Sequence, residues 1–429
     1  MKKNLLRAVL AASFSLFVAG ALTAPSYAAS SSAADAGPKL SKAFGKPLGE
    51  AQQALTAKDW PTALAKINEA KAIPDATDFD KYIINYFTGI ADFNTGDKPG
   101  AAAAFALAAE SPAVPEKERA QVLHNAISLN LDVKDNAKAV ELGQFAMKLG
   151  VVDETIAGNV AIGYYRLNDY ANAQLFAQKV VDLSAATGKI PERTALEIML
   201  QIEISKKNIP GEGKVIEKMA NFYGQPDDWA NLIIVAFGTL PPSKSYLDVA
   251  VLYVSRLMLT VDAKTSADNY LLAAQAAESL RSPGDTLEAL RVGLAKGVLS
   301  QSKVGAMQKK AEAAASHDKP TLAAADAVAA KSPTAKEDVS VAEDYYGYGN
   351  LDDAARVAQR AIGKRGSQAI EAQLLLGVVQ ARQGNNQAAA QSLALVKGDP
   401  ALERAAYLWS LYATRKYGQA PAATPAAAH

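Results

Sequence analysis

One short signature recurs along the chain and sets the terms for any fold. An Asp or Asn is followed four residues later by an Ala, at Asp59…Ala63, Asp97…Ala101, Asp135…Ala139, Asp169…Ala173, Asp285…Ala289, Asn350…Ala354 and Asn385…Ala389. Weaker copies start at Asn208 and Asp318. Neighbouring copies are 32–39 residues apart, and the single gap of 77 between Asn208 and Asp285 leaves room for a poor copy near residues 240–246. A period of that length is the mark of stacked supersecondary units, each unable to bury its apolar face alone.

Each recurring residue has a physical task. Asp or Asn at a helix start accepts from backbone N–H groups that have no partner within the helix. Pro61, Pro99 and Pro320 stand two residues after the Asp, where the first turn tolerates a missing N–H. Gly96, Gly349 and Gly384 directly precede it, as a glycine closing the previous helix does. The Ala that follows is small enough for two helices to approach closely. A second small residue comes later, at Ala70, Ala108, Ala146 and Ala361, with a larger filler between, at Ile67, Phe105 or Leu393. Helix formers dominate, and no alternating β-branched runs occur. The expectation is an all-α chain of about ten helical hairpins.

The pattern resembles the tetratricopeptide repeat (TPR) family, with Leu-Gly and an aromatic in the first helix and Ala-x-x-x-Phe in the second. Leu376-Gly377 followed by Gly384-Asn385, Ala101-x-x-x-Phe105, Gly89, Tyr164 and Tyr345 carry the likeness. It spans most of residues 44–400, is loosest over 209–260, and generally lacks the family tryptophan. The resemblance implies an α-solenoid whose first helices line a concave groove. Carried across, the groove positions are Tyr86 and Phe93, His124 and Asp132, Tyr165 and Arg166, Tyr346, and Leu374 and Arg382. Either these side chains present a binding surface, where Tyr and Arg are over-represented, or the aromatics fill core between repeats. One mode known in the family clamps a peptide's terminal carboxylate with Lys, Asn and Arg. The matching places are Tyr86, Ile90, Asn125, Thr155 and Asn159, and only Asn125 suits, so that clamp is not expected.

The flanks read differently. Lys2, Lys3 and Arg7, then the uncharged stretch Ala8–Leu22, then Pro25, Ser26, Tyr27 and Ala28 follow the order of a secretory signal peptide cleaved after Ala28. The apolar stretch is too short to span a bilayer, which takes about 20 residues. The expected organisation is signal peptide 1–28, flexible leader 29–43, repeat array 44–400 with an irregular unit at 209–260, capping helix 401–416 and a disordered Pro/Ala tail 417–429. The capping helix covers the last exposed apolar face, with Leu402, Ala405, Ala406, Trp409 and Tyr412 on one side. The expected address is the periplasm, or the exterior for a source that is not Gram-negative.

Composition narrows the chemistry. With no cysteine there is no disulfide, thiolate-bound metal, thiol nucleophile or lipid-bearing cysteine. With 45 basic and 44 acidic residues, broad nucleic-acid binding is disfavoured. His124, His317 and His429 form no metal pair, and no phosphate loop, nucleophile elbow or dinucleotide fingerprint occurs. Neither a cofactor nor a metal is expected, nor catalysis. The leading expectation is a scaffold that binds a protein or peptide in the cell envelope, through Tyr86, Phe93, His124, Asn125, Tyr165, Arg166, Tyr346 and Arg382. The alternative is a groove that binds a glycan or peptidoglycan strand. Residues 222–260 gather Phe222, Tyr223, Trp229, Phe237, Tyr246 and Tyr253 between prolines, which marks a specialised contact, a hinge, or bulky packing under long loops.

Overall fold

A computed structural model describes residues 39–415 apart from residue 365. The signal peptide 1–28, most of the leader and the tail 417–429 lie outside the described residues. These form twenty α-helices and no strand, in two compact units divided between Lys206 and Lys207.

The first unit holds α1 (Lys42–Thr56), α2 (Trp60–Lys71), α3 (Asp78–Thr95), α4 (Lys98–Glu110), α5 (Glu116–Asp132), α6 (Asn136–Lys148), α7 (Glu154–Arg166), α8 (Tyr170–Ala186) and α9 (Arg193–Ser205). Helical structure thus begins at Lys42, inside the span expected to be leader. Consecutive helices pack as hairpins, and first helices also meet, α1 on α3, α5 on α7 and α7 on α9. The recurring acids do what their position implies. Asp59, Asp97, Asp135 and Asp169 are N-caps, accepting from the backbone N–H of Thr62, Gly100, Lys138 and Asn172 at 2.9–3.2 Å. Ala63, Ala101, Ala139 and Ala173 are fully buried, as are the fillers Ile67 and Phe105. Gly89 is required by that packing, because a Cβ there would lie 2.6 Å from the Phe105 ring.

The turn into each second helix has a feature glycine alone does not reveal. Gly96 is left-handed (φ 92°), but so are Lys58, Lys134 and Asn168 at φ 59–66°. The same conformation precedes α10, α14, α17 and α19 in the second unit, at Lys207, Arg281, Gly349 and Gly384. Eight turns are one geometric object, with or without glycine.

The second unit comprises α10 (Ile209–Tyr223), α11 (Pro226–Thr239), α12 (Leu247–Thr260), α13 (Ala267–Ser279), α14 (Pro283–Ala295), α15 (Gln301–Ala329), α16 (Ala335–Gly347), α17 (Leu351–Ile362), α18 (Ala369–Arg382), α19 (Asn386–Ala394) and α20 (Pro400–Thr414). Asn208, Asn350 and Asn385 stand at N-cap positions, but only Asn208 caps through its side chain, accepting from the Gly211 N–H at 3.3 Å. The poor copy expected near 240–246 is the connection between α11 and α12.

Two repeat assignments are corrected. Asp285 is not a cap. Ser282 stands at the N-cap position of α14, its hydroxyl turned to Asp285, and Asp285 sits one turn in, so that copy is out of register by three residues. Nor does Asp318 start a helix, because α15 runs unbroken through it for 29 residues with Pro320 inside. Proline there removes one hydrogen bond, and it is tolerated because Ser316 and Pro320 both face solvent. α15 buries only a narrow stripe, Val304, Ala311, Ala315, Leu322, Asp326 and Ala329.

The C-terminal helix does more than cap. α20 packs on α18 and α19, and also on α10 and α12, earlier in the same unit. Packing therefore runs in a closed circuit, α12 to α14 to α16 to α18 to α20 and back to α12. Trp409 is fully buried, and its indole Nε1 donates to the Tyr253 carbonyl at 2.9 Å. Tyr412 meets Trp229 and Trp409 edge-on. At the rim, Arg404 pairs with Glu217 at 2.7 Å, Tyr407 donates to Glu217 at 2.9 Å and Ser243 to Asp399 at 2.7 Å. Trp229 and Tyr253, from the aromatic-rich irregular segment, thus help to receive the chain's own last helix.

Candidate functional site

In the first unit the expected groove residues divide into buried and accessible. Tyr86 is 5% exposed, edge-on to Phe105 with centroids 5.5 Å apart. Burial, then the charge of Glu118, push its phenol up to about 12. It is core between helices and offers nothing to a partner. α3 is buried on nearly every side, with Tyr82 donating to Glu118 of α5 at 2.7 Å. Phe93 is half-buried near its C-terminal end.

The accessible stretch lies on α5 and α7. His124 is partly buried and its Nε2 stands 2.8 Å from Asp153, the N-cap of α7. Burial works against the Asp153 charge, but the His124 contact and the backbone N–H of Ile156 hold its carboxyl below the usual range. Beside it, Gln121 donates to the Asn125 side-chain oxygen at 3.0 Å, while the Asn125 Nδ2 is buried without a partner. Asn159 on α7 donates to Ser128 on α5 at 2.9 Å. Tyr165 is half-buried, its ring 5.7 Å from that of Tyr170. Arg166 is exposed but already engaged, donating to the Leu131 carbonyl at 2.8 Å and so tying α7 to the end of α5.

In the second unit Tyr346 and Arg382 come together, as expected of neighbouring hairpins, but in an interior rather than on an open face. The Tyr346 ring is 3% exposed. The Arg382 guanidinium stands 5.2 Å from its centroid and that of Arg256, from α12, 3.9 Å. Leu374 is fully buried.

Arg256 organises this interior. It is 2% exposed and binds Asp285 through two nitrogens, at 3.0 and 2.6 Å. A third contact reaches Glu343 of α16 at 2.5 Å. The Tyr253 hydroxyl donates to the other oxygen of Glu343. Burial opposes the Arg256 charge, yet Asp285 and Glu343 hold it firmly cationic. Glu371, in the first turn of α18, is the third carboxyl here. Burial first, then Glu343, raise it to about 8, with Arg256 pulling the other way. Asp344 is raised to about 7 by burial, then by Asp318, Glu343 and Asp285.

Sequence reasoning passed over Arg256, Asp285, Glu343 and Glu371. A signal existed for the first: Arg256 is the only basic residue in the mostly apolar helix LDVAVLYVSRLMLT, and a charge in its middle needs a buried partner. Asp285 was hidden by its false fit to the capping pattern. Among the described residues no cluster of three or more His, Asp or Glu is arranged to hold a metal.

No protein-family model and no curated protein matches the sequence. Among solved structures, similarity is found to a tetratricopeptide repeat protein from Parabacteroides merdae, at 11% identity and a TM-score of 0.33 over 63% of this chain and 99% of that one. Similarity is also found to a structure of Naa15/Naa10 bound to HypK-THB, at 14% identity and a TM-score of 0.35 over 84% of this chain and 54% of the other. Neither score carries an argument about what this chain binds. Its TPR-like character rests on its own capped turns, buried alanines and glycine–filler contacts: an all-α array of helical hairpins.

Proposed function

We propose that the chain is a non-catalytic interaction scaffold, exported to the periplasm or beyond, that binds a protein or peptide of the cell envelope. The observation that supports it most is the partly buried polar and aromatic strip along α5 and α7, where Gln121, His124, Asn125, Asp153 and Tyr165 stay within reach of solvent. The Asn125 Nδ2 lacks a partner among the described residues. An unmet buried donor is costly, and a partner's carbonyl would satisfy it. The inner side of the second unit is taken by its own α20, so binding falls to the first. Glycan stacking is the weaker reading. Stacking needs open aromatic faces along the array, and the Tyr346 ring is already occupied by arginines.

The test is cross-linking in intact cells, comparing wild type with a His124→Ala/Tyr165→Ala variant of unchanged helicity. A specific cross-linked partner lost in the variant supports the proposal; equal capture by both, or none by either, refutes it. Export is tested separately by N-terminal sequencing of the cellular product. A start at Ala29 is expected, and retention of Met1–Ala28 in the cytoplasm would overturn the address.

A further inference from the structure

We propose that residues 320–334 form a strap that lifts off the second unit as one piece, hinged at Pro320 and held shut by Asp326 between two arginines of α17. The inference is independent of the export and binding proposals.

α15 is one helix by geometry but two by attachment. Residues 301–319 bury Val304, Ala311 and Ala315. Along them Lys310 reaches Glu278 of α13 at 2.7 Å, and the Lys319 ammonium stands 5.1 Å from the ring of Tyr348, just past the end of α16. Beyond Pro320 the buried apolar side chains of α15 are Leu322 and Ala329 alone, while Val328 is 69% exposed. A segment with so little apolar cover opens more readily than the helices around it. What holds it is polar. Asp326 is 8% exposed and accepts from Arg356 at 2.5 Å and from Arg360 at 2.6 Å. The Tyr345 hydroxyl of α16 lies 3.4 Å from the oxygen that Arg356 binds. At the helix end, Lys364 donates to the Ala329 carbonyl at 2.8 Å. Water can replace each of these contacts once the segment lifts.

Both ends of the segment are tethered. Pro320 has no N–H for the Ser316 carbonyl, so parting the helix there breaks one backbone bond fewer than at any other interior residue. At the far end, Ser332-Pro333-Thr334 leads into α16, whose first residue, Ala335, is fully buried. The ten helical residues between these points are too few to stay helical in water once detached, since isolated helices need about 12–15. Lifting the strap therefore also frees its amides.

Charge brings the strap back. Without Asp326, Arg356 keeps Asp353, while Arg360 and Lys364 share Asp338. Three cations then face two acids, and the surplus positive charge draws the Asp326 carboxylate in again. The closed state is thus selected by an acid at this one position, and apolar packing contributes little to it.

The test is hydrogen exchange of the α15 amides in the full chain, corrected for intrinsic rates. In wild type, residues 321–329 are expected to open at least about tenfold more often than 304–315. Asp326→Asn keeps the shape without the charge and is expected to raise the opening of 321–329 by about tenfold or more, leaving 304–315 and the α17 amides as they were. Pro320→Ala restores the missing hydrogen bond and is expected to bring the exchange of 321–329 close to that of 304–315. Equal opening of the two stretches in wild type, an Asp326→Asn effect that is absent or spreads over all of α15, or a Pro320→Ala variant whose two stretches stay apart overturns the proposal.

Discussion

Lys58, Lys134 and Arg281 hold left-handed backbone at φ 59°, 66° and 58°, in the place Gly96, Gly349 and Gly384 fill elsewhere. All three are exposed, and among the described residues their side chains have no hydrogen bond or ion pair. For an L-residue this conformation costs about 1–2 kcal/mol, because Cβ crowds the following carbonyl. Glycine removes that cost but loses about 0.5–1 kcal/mol through the greater freedom of the unfolded chain. Lys58→Gly, Lys134→Gly and Arg281→Gly are each expected to stabilise by about 0.5–1 kcal/mol, from these two terms. The turns are separate and share no partner, so the Lys58 and Lys134 gains add, to about 1–2 kcal/mol in the first unit. For a unit of this size that corresponds to a rise of about 2–8 °C in melting temperature. Equilibrium urea unfolding of each variant measures it, with Lys→Ala and Arg→Ala at the same sites as controls. Alanine keeps the Cβ and so keeps the strain. If the glycine and alanine variants unfold at the same urea concentration, the backbone argument is wrong.

The helix contacts make further predictions. Gly89→Ala drives a methyl to 2.6 Å from the Phe105 ring and Gly377→Ala one to 2.6 Å from Leu393, and each is expected to destabilise by about 1–3 kcal/mol in urea melts. Phe105→Leu is expected to rescue the first and not the second; rescue of both, or of neither, would contradict the pairing. Trp409→Ala is expected to cost about 3–5 kcal/mol and to expose the α12 amides to exchange, whereas exchange confined to α20 would show the helix packing independently. Arg256→Ala leaves Asp285 and Glu343 buried without a cation, a loss of about 3–5 kcal/mol at neutral pH. Arg256→Met, which keeps much of the bulk without the charge, is expected to lose as much, and a clearly milder loss would mean that Arg256 matters only as bulk.

The repeat was legible because capping chemistry is local. An Asp side chain that reaches a backbone N–H three residues on leaves its trace within four letters of sequence, and seven of the nine Asp/Asn positions stand at N-caps, five of them bonding a backbone N–H through the side chain. The two failures are instructive. Asp318–Pro320 matches the start of a second helix, as at Asp59–Pro61, but α15 is exposed along most of its length and needs no turn there. Asp285 matches through Ala289, yet Arg281-Ser282-Pro283 is the true turn, with Ser282 in the place of the Asp. The groove residues were less legible, because placing them presumed first helices with one open face. α3 is buried on nearly every side, which takes in Tyr86, and the Tyr346 ring on α16 is covered by Arg256 and Arg382. The contacts that close the second unit join residues far apart in sequence, Tyr253 with Glu343 and Tyr253 with Trp409, and no local period announces them.

The slip at Asp285 and the closure of the unit have one cause. A Cβ on Gly284 would run into the Gly347 carbonyl, so the start of α14 fits against the end of α16 only because that residue is glycine. This contact fixes the next residue, Asp285, where Arg256 can reach it, and the Ser282 hydroxyl steadies the carboxylate at 2.7 Å. An acid serving as cap would have been spent on its own backbone. Moved into the first turn, it becomes the anchor of an arginine that also binds Glu343, so one side chain joins α12, α14 and α16. Apolar packing alone tolerates small slides between helices, whereas a two-nitrogen arginine–carboxylate contact does not. Fixing the register of the unit and taking an acid out of its capping role are thus two results of placing a single arginine between two carboxylates.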